Sequence, residues 1–160
     1  MSRALFLVAL LAVSADWLAP AVAAQVTTAD LVTWRARAER ATPGADARVV
    51  LDAAVAPGWR LYALGSPVGI PLTVSLDPLP AGVTAGPLRQ SEPQQGYDPA
   101  FELDYPYFVE SGRVVQTLRV ARGTASGRRE VSGSIRYAVC DDSVCLPPTR
   151  TAFQVPLVVE

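Results

Sequence analysis

The sequence predicts an all-β domain of the sandwich or barrel type, and three observations lead to that prediction. Apolar and polar residues alternate with a period of two in several separate runs, which is the pattern of half-buried strands. Turn sequences such as Pro43-Gly44, Pro57-Gly58 and Ser126-Gly127 separate the runs. No long helical periodicity interrupts the series, as is typical of sandwiches and barrels. The runs cover residues 32–39, 49–55, 72–76, 114–120, 131–139 and 153–159.

Two segments are harder to assign from the pattern. Residues 30–40 contain Ala and Arg, which favour a helix, but the regular alternation from Val32 onward favours a strand. Residues 91–108 are rich in Pro, Gln, Asp and aromatic residues, and we predict a long loop there. Long loops in compact domains are often functional, so this segment is a candidate part of a site.

The N-terminal residues have the features of a secretion signal. Arg3 provides a positive n-region, residues 4–15 form an apolar stretch, and Ala21-Val22-Ala23 is an A-x-A cleavage pattern. The apolar stretch is too short to span a bilayer, and Asp16 argues against the alternative of an uncleaved anchor. We therefore expect residues 1–23 to be a cleaved signal peptide. Residues 24–160 are then one domain exported to the periplasm, where disulfides persist.

The composition argues against several classes of function. Every basic residue is Arg, there is no His, and the formal net charge is −1. A nearly neutral chain lacks the electrostatic footprint of a nucleic-acid-binding protein. The absence of His removes the commonest general base and the commonest metal ligand, so we expect no metal site.

Cys140 and Cys145 are the only cysteines, and the chemistry of the chain is concentrated around them. Cys140 ends a predicted strand, and the short connection to Cys145 fits a hairpin end where two Cα atoms come within disulfide reach. Closing about six residues contributes roughly 2 kcal/mol to stability, against nearly 5 kcal/mol for a loop of about 100 residues. Such a bond stabilises little and is easily reached by another thiol, so a redox pair and a structural disulfide both remain open. Zinc bound with Asp141 and Asp142 is a weaker third hypothesis, because no His or further Cys completes the ligand set.

The charges beside the cysteines do not indicate a self-activated nucleophile. Asp141 and Asp142 follow Cys140 directly and disfavour its thiolate, whereas Arg136 and Arg150 flank the motif and act in the opposite direction. A pair of this kind is better suited to exchanging disulfides with an already reactive partner than to attacking unselected substrates.

In the order of its motifs, the chain resembles the N-terminal periplasmic domain of the thiol:disulfide interchange protein DsbD, in its stand-alone, corrector-like form. The most specific element is an aromatic-containing strand followed by two cysteines and Pro-Pro. The resemblance covers nearly all of the expected mature chain. The matching pieces are Gly58-Trp59-Arg60-Leu61-Tyr62, Gly69-Ile70-Pro71-Leu72-Thr73-Val74, Tyr97-Asp98-Pro99-Ala100-Phe101-Glu102, Gly112-Arg113-Val114, Ile135-Arg136-Tyr137-Ala138-Val139-Cys140 and Cys145-Leu146-Pro147-Pro148.

The resemblance implies an immunoglobulin-like β-sandwich with the cysteines at one end and a role as an electron relay. In that family the reduced dithiol passes electrons to oxidised thioredoxin-like periplasmic partners, such as disulfide isomerases or cytochrome c maturation proteins. Carried onto this chain, Cys145 forms the mixed disulfide and Cys140 closes the intramolecular bond. The resemblance implies no cofactor and no metal. It also implies a separate membrane electron transporter that re-reduces the pair, because no later stretch of this chain is expected to cross a membrane.

The same resemblance implies a cap over the cysteines and further site-lining residues. The cap corresponds to residues 94–101, with Tyr97 or Phe101 as the aromatic shield, and Tyr62 and Tyr137 are candidates to line the site. One departure is the spacing, since four residues separate the cysteines here whereas the best-studied members have five. The alternative function is a non-catalytic immunoglobulin-like binding or assembly domain with a structural disulfide.

Overall fold

The computed structural model describes residues 25–160, and the predicted signal peptide at residues 1–23 lies outside them. The described part of the chain forms one helical turn and a series of strands. In chain order these are α1 (Thr28–Leu31), β1 (Val32–Ala38), β2 (Asp46–Val55), β3 (Arg60–Tyr62), β4 (Thr73–Leu76), β5 (Val83–Gln90), β6 (Gln94–Asp98), β7 (Leu103–Phe108), β8 (Ser111–Val120), β9 (Gly127–Tyr137), β10 (Val139–Cys140) and β11 (Thr149–Val159).

Two antiparallel sheets enclose the hydrophobic core as a β-sandwich. The first has the order β1-β2-β8-β5 and the second the order β11-β9-β4. Alternate residues of both sheets point inward, and Leu51, Leu118, Ile135 and Leu157 among them have no exposed surface. Fully burying one such side chain contributes about 1.5–3 kcal/mol. Packing of the two sheets against each other therefore supplies much of the stability of the domain.

A third sheet, with the order β10-β3-β7-β6, carries the cysteine motif. It begins where the second sheet ends, because the chain passes from β9 through Ala138 directly into β10. Its inner residues Leu61, Phe108 and Val139 join the main core cluster, so the sheet is anchored to the sandwich. Cys140 therefore lies on the edge strand of a sheet that is packed onto the core.

All six predicted runs are strands, and the sandwich form of the all-β prediction is confirmed. The segment 30–40 starts in the helical turn and then follows the predicted strand as β1. The predicted long loop at residues 91–108 was wrong. That segment is the β6–β7 hairpin, paired in register from Gln94 opposite Tyr107 to Asp98 opposite Leu103. Its side chains are mostly exposed or half-buried on both faces, so the hairpin lacks the apolar–polar alternation that marks a half-buried strand.

Candidate functional site

The two cysteines form a disulfide that closes a short hairpin after β10. Cys140 and Cys145 face each other across an isolated antiparallel bridge, with Cα atoms 4.0 Å apart. The backbone N–H of Asp141 donates to the carbonyl of Val144 at 3.0 Å. Oδ1 of Asp141 accepts the N–H groups of Ser143 and Val144, each at 2.7 Å, and these bonds lower the pKa of that carboxyl. The connection is therefore a self-contained turn that holds one cysteine opposite the other.

The two sulfur-bearing residues differ in their access to solvent. Cys140 is only 6% exposed, because it packs in a buried cluster with Tyr62 and Val68. Cys145 lies after the turn and is exposed. A thiol arriving from outside the domain therefore reaches Cys145 much more readily than Cys140.

The hydroxyl group of Tyr62 lies beside both sulfurs. Its oxygen is 3.3 Å from Sγ of Cys140 and 3.9 Å from Sγ of Cys145. Because a disulfide sulfur carries no proton, the phenol is the donor in these contacts. Burial raises the pKa of Tyr62, and the neighbouring Tyr105 and Asp98 act in the same direction. The group therefore keeps its proton and remains a donor at neutral pH.

Close packing holds the Tyr62 ring in this place. Gly69 has a φ of 65°, and a Cβ at that position would lie 2.4 Å from Cζ of Tyr62. Only glycine combines that backbone conformation with so close an approach. On another side the ring packs against Tyr105, which in turn packs against Tyr107, with centroid separations of 5.6 Å in both pairs. Tyr62 has little freedom to swing away from the disulfide.

The disulfide borders an open cleft of about 230 Å³, smaller than most small-molecule pockets. Arg60 is the one basic residue among those lining it, within the described part of the chain. The guanidinium donates to Oδ1 of Asp142 at 2.6 Å, and this bond raises the pKa of Arg60. The cleft can thus admit a protruding side chain or sulfur rather than a large ligand. Its lining residues are Arg60, Tyr62, Asp98, Tyr105, Cys140, Asp141, Asp142, Ser143, Val144 and Cys145.

Not every residue predicted from the sequence lies at this cleft. Cys140, Cys145 and Tyr62 come together there. Tyr97 and Phe101 are 59% and 67% exposed near the tip of the β6–β7 hairpin, and neither lines the cleft.

Tyr137, the other predicted site-lining residue, belongs to the core. It is fully buried, its hydroxyl is 3.0 Å from Oγ1 of Thr151, and its ring packs edge-on against Trp34 with centroids 5.5 Å apart. It does not line the cleft either.

Outside the loop between the cysteines, three lining residues were not singled out as site residues from the sequence: Arg60, Asp98 and Tyr105. Arg60 precedes Tyr62 by two residues and projects from the same face of β3, but three residues are too few for the sequence pattern to show that strand. Asp98 lies within the predicted cap at residues 94–101, whereas Tyr105 had no signal, because it reaches the cleft only through the folding of the β6–β7 hairpin, which the sequence pattern did not reveal.

Within residues 25–160, no group of three or more His, Cys, Asp or Glu side chains is arranged to hold a metal ion. Within the same range, no helix has the length and apolar character needed to cross a bilayer.

Comparisons with known proteins identify the family and the fold. The N-terminal domain of the reduced Neisseria meningitidis DsbD has a TM-score of 0.51 at 20% identity, over 72% of this chain and 82% of that chain. The N-terminal periplasmic domain of ScsB from Proteus mirabilis has a TM-score of 0.53 at 15% identity, over 84% of this chain and 49% of that chain. This chain therefore spans about half the length of that ScsB chain. At these identities the likeness shows the fold alone, and it confirms the immunoglobulin-like β-sandwich.

The sequence comparisons are more specific. Curated protein sequences give no match to this chain. The family model described as the N-terminal part of the thiol:disulfide interchange protein DsbD matches residues 28–157. That match includes the disulfide, its cleft and almost every strand described above. The chain belongs to the family of DsbD N-terminal domains.

Proposed function

We propose that this chain is a periplasmic thiol–disulfide exchange module that passes electrons through the Cys140/Cys145 pair to oxidised envelope proteins. The observation that carries the proposal is the asymmetry of the pair, an exposed Cys145 beside a buried Cys140, within a short loop at an open cleft. Membership of a thiol:disulfide interchange family supports the same chemistry. The activity is that of an oxidoreductase of the protein-disulfide reductase type.

The exchange takes place in two substitutions at sulfur. The thiolate of reduced Cys145 attacks a sulfur of the partner's disulfide, so that a mixed disulfide forms and one partner thiolate leaves. Cys140, as a thiolate, then attacks Sγ of Cys145, closes the intramolecular bond and expels the second partner thiolate. Two electrons and two protons pass in total from the dithiol to the partner, and no cofactor takes part.

Tyr62 supports both substitutions from one position. Each step places negative charge on a sulfur that leaves or attacks within the cleft, and a protonated phenol beside both sulfurs stabilises that charge by hydrogen bonding. Because Tyr62 is packed between Gly69 and Tyr105, it needs no rearrangement to act. The role is one of positioning and charge stabilisation.

The proposed partners are proteins that bring their own reactive cysteine. Among residues 25–160, three carboxylates and one cation line the cleft, so the cysteine pair is not strongly activated by its surroundings. Thioredoxin-like periplasmic proteins, including those of cytochrome c biogenesis, meet this requirement, and a separate membrane electron transporter is the proposed source of electrons.

Two cysteine variants test the proposal. Cys145→Ser removes the accessible sulfur and is expected to abolish disulfide exchange. Cys140→Ser leaves that sulfur but removes the resolving thiol, so mixed disulfides with envelope proteins accumulate. Non-reducing electrophoresis of envelope extracts detects such adducts, and the Cys145→Ser strain is the matched control. An absence of adducts in the Cys140→Ser strain contradicts the proposal.

A redox titration separates this function from a non-catalytic binding or assembly domain with an inert bridge. A reduction potential well below about −300 mV is typical of structural disulfides, and a higher value permits exchange. We expect the higher value, because the exposed short-loop bond is accessible and adds little stability.

A further inference from the structure

Arg60 is placed next to the disulfide by strand pairing. In the antiparallel register of β3 and β10, Arg60 stands directly opposite Cys140. Side chains that are directly opposite in such a pair project from the same face, with Cβ atoms about 4.5–5.5 Å apart. Leu61, the next residue, points to the other face and is fully buried in the core. The stem of Arg60 therefore starts beside Cys140 and cannot turn inward.

The guanidinium of Arg60 connects β3 to the tip of the loop between the cysteines. Nη2 lies 2.6 Å from Oδ1 of Asp142, and Cζ lies 5.7 Å from the ring centroid of Tyr107. The remaining hydrogen bonds of residues 141–144 are formed within the loop itself. Within residues 25–160, the Arg60–Asp142 ion pair is thus the polar contact that joins the loop tip to another part of the fold.

We propose that Arg60 is a positioning residue for the exchange reaction, which holds the inter-cysteine loop against β3 through Asp142 and so favours closure of the Cys140–Cys145 disulfide. This inference rests on the proposed function and adds a determinant of its equilibrium. The ion pair joins an element that keeps its place, β3, to the loop whose freedom changes when the disulfide opens.

The direction of the effect follows from linkage. With the disulfide closed, the loop is already restricted, so forming the ion pair costs less conformational entropy than it does in the dithiol form. The closed disulfide therefore favours the ion pair, and by reciprocity the ion pair favours the closed disulfide to the same degree. Its loss shifts the equilibrium toward the dithiol and makes the reduction potential less negative.

The magnitude is limited by exposure. The side chain of Asp142 is 86% exposed and that of Arg60 is 35% exposed. Exposed ion pairs usually contribute little free energy. The stacking of Arg60 on Tyr107 restricts the guanidinium, so we expect this ion pair to be among the stronger exposed pairs. We expect about a three- to fivefold change in the equilibrium constant, equivalent to about 14–21 mV for a two-electron couple.

The test is a glutathione titration of the whole exported domain. Its reaction is protein disulfide plus two glutathione thiols, giving protein dithiol plus glutathione disulfide. Four proteins form a mutant cycle: wild type, Arg60→Gln, Asp142→Asn and the double variant. At pH 7, below the ordinary thiol pKa of about 8.5, thiolate charge makes only a small contribution. Each single variant is expected to shift the constant three- to fivefold toward the dithiol, and the double variant no further.

A matched control removes an ion pair elsewhere. Arg40 forms an ion pair with Glu160, and both side chains are exposed. Glu160 follows the C-terminal end of β11, whereas the disulfide precedes the N-terminal end of that strand. Arg40→Gln is expected to leave the equilibrium constant unchanged. In about 1 M KCl, which screens surface charges, the wild type is expected to approach the variants.

The other possible outcomes overturn either the role of Arg60 or the proposed function. Single variants that match the wild type, shift the constant toward the disulfide, or add together in the double variant overturn the role of Arg60 while leaving thiol exchange intact. A folded wild type whose disulfide does not equilibrate with glutathione at all overturns the proposed function, and this inference with it. Asp142→Asn alters only an exposed side chain, so an unfolded Arg60→Gln variant still leaves one arm of the cycle to decide the question.

Discussion

Removal of the Tyr62 hydroxyl is the most direct test of how the fold controls the chemistry of the cysteines. Tyr62→Phe keeps the ring that packs against Gly69 and Tyr105, so it creates no cavity and deletes only the donor beside the sulfurs. The change is best made in a Cys145→Ser background, where Cys140 is the single thiol. The hydroxyl oxygen is 3.3 Å from the Cys140 sulfur, so the lost interaction is with the thiolate form of that residue.

The size of the effect follows from that contact. A hydrogen bond to a charged acceptor contributes about 1.5–3 kcal/mol. Sulfur is a weaker acceptor than oxygen, so we take about 1 kcal/mol. Loss of about 1 kcal/mol lowers the acid dissociation constant of the Cys140 thiol about fivefold, so the pKa of that thiol is raised. At pH 7 the thiolate fraction falls about fivefold, because the thiol is mostly protonated there. The alkylation rate falls only about two- to threefold, because the more basic thiolate is a stronger nucleophile.

The assay is ultraviolet absorbance of the thiolate as a function of pH, supported by the rate of alkylation with iodoacetamide. Tyr137→Phe in the same background is the matched control, because it also deletes a buried phenol hydroxyl, one that contacts Thr151 instead of sulfur. It is expected to leave the thiol pKa unchanged. A Cys140 pKa that stays the same or falls in Tyr62→Phe refutes the proposed stabilisation, and an equal rise in both variants shows that the effect is not specific to the Tyr62 contact.

Two further predictions concern the hairpin tip and the stability of the first sheet. Phe101→Ala is expected to change the free energy of unfolding by less than about 0.5 kcal/mol and to leave the rate of reduction by dithiothreitol unchanged, because Phe101 is 67% exposed and does not line the cleft. A several-fold faster reduction would instead show that it shields the disulfide. Burial raises the pKa of Asp52, but hydrogen bonds and charges from Arg113 and Arg37 outweigh it, so the net pKa is lowered. The ionised Asp52 therefore stabilises the fold above the unfolded-state pKa of about 3.9, and this stabilisation is lost as the pH falls through the lower folded-state pKa. In urea unfolding, Asp52→Asn is expected to lower the free energy of unfolding by about 1 kcal/mol at pH 7 and by almost nothing near pH 2. An equal loss at both pH values contradicts this prediction.

Much of the sandwich could be predicted because its strands are buried on one face. In β2, for example, Val49, Leu51, Ala53 and Val55 are all buried at alternate positions, and that spacing is visible in the sequence. β3 was not predicted as a strand because three residues are too few to show a period. The β6–β7 hairpin was missed because backbone pairing, rather than burial of one face, defines it.

The candidate site likewise has features that the sequence predicts and features that only the folded structure reveals. The sequence by itself determined the spacing of the two cysteines and the Asp141 turn between them, because both depend on neighbouring residues. Tertiary structure alone decided that Cys140 is buried, that the Tyr62 hydroxyl lies beside it across a sequence separation of 78 residues, and that Arg60 stands opposite it. The physical reason is that a period of two specifies which face of a strand is buried, but carries no information about which strand becomes its neighbour.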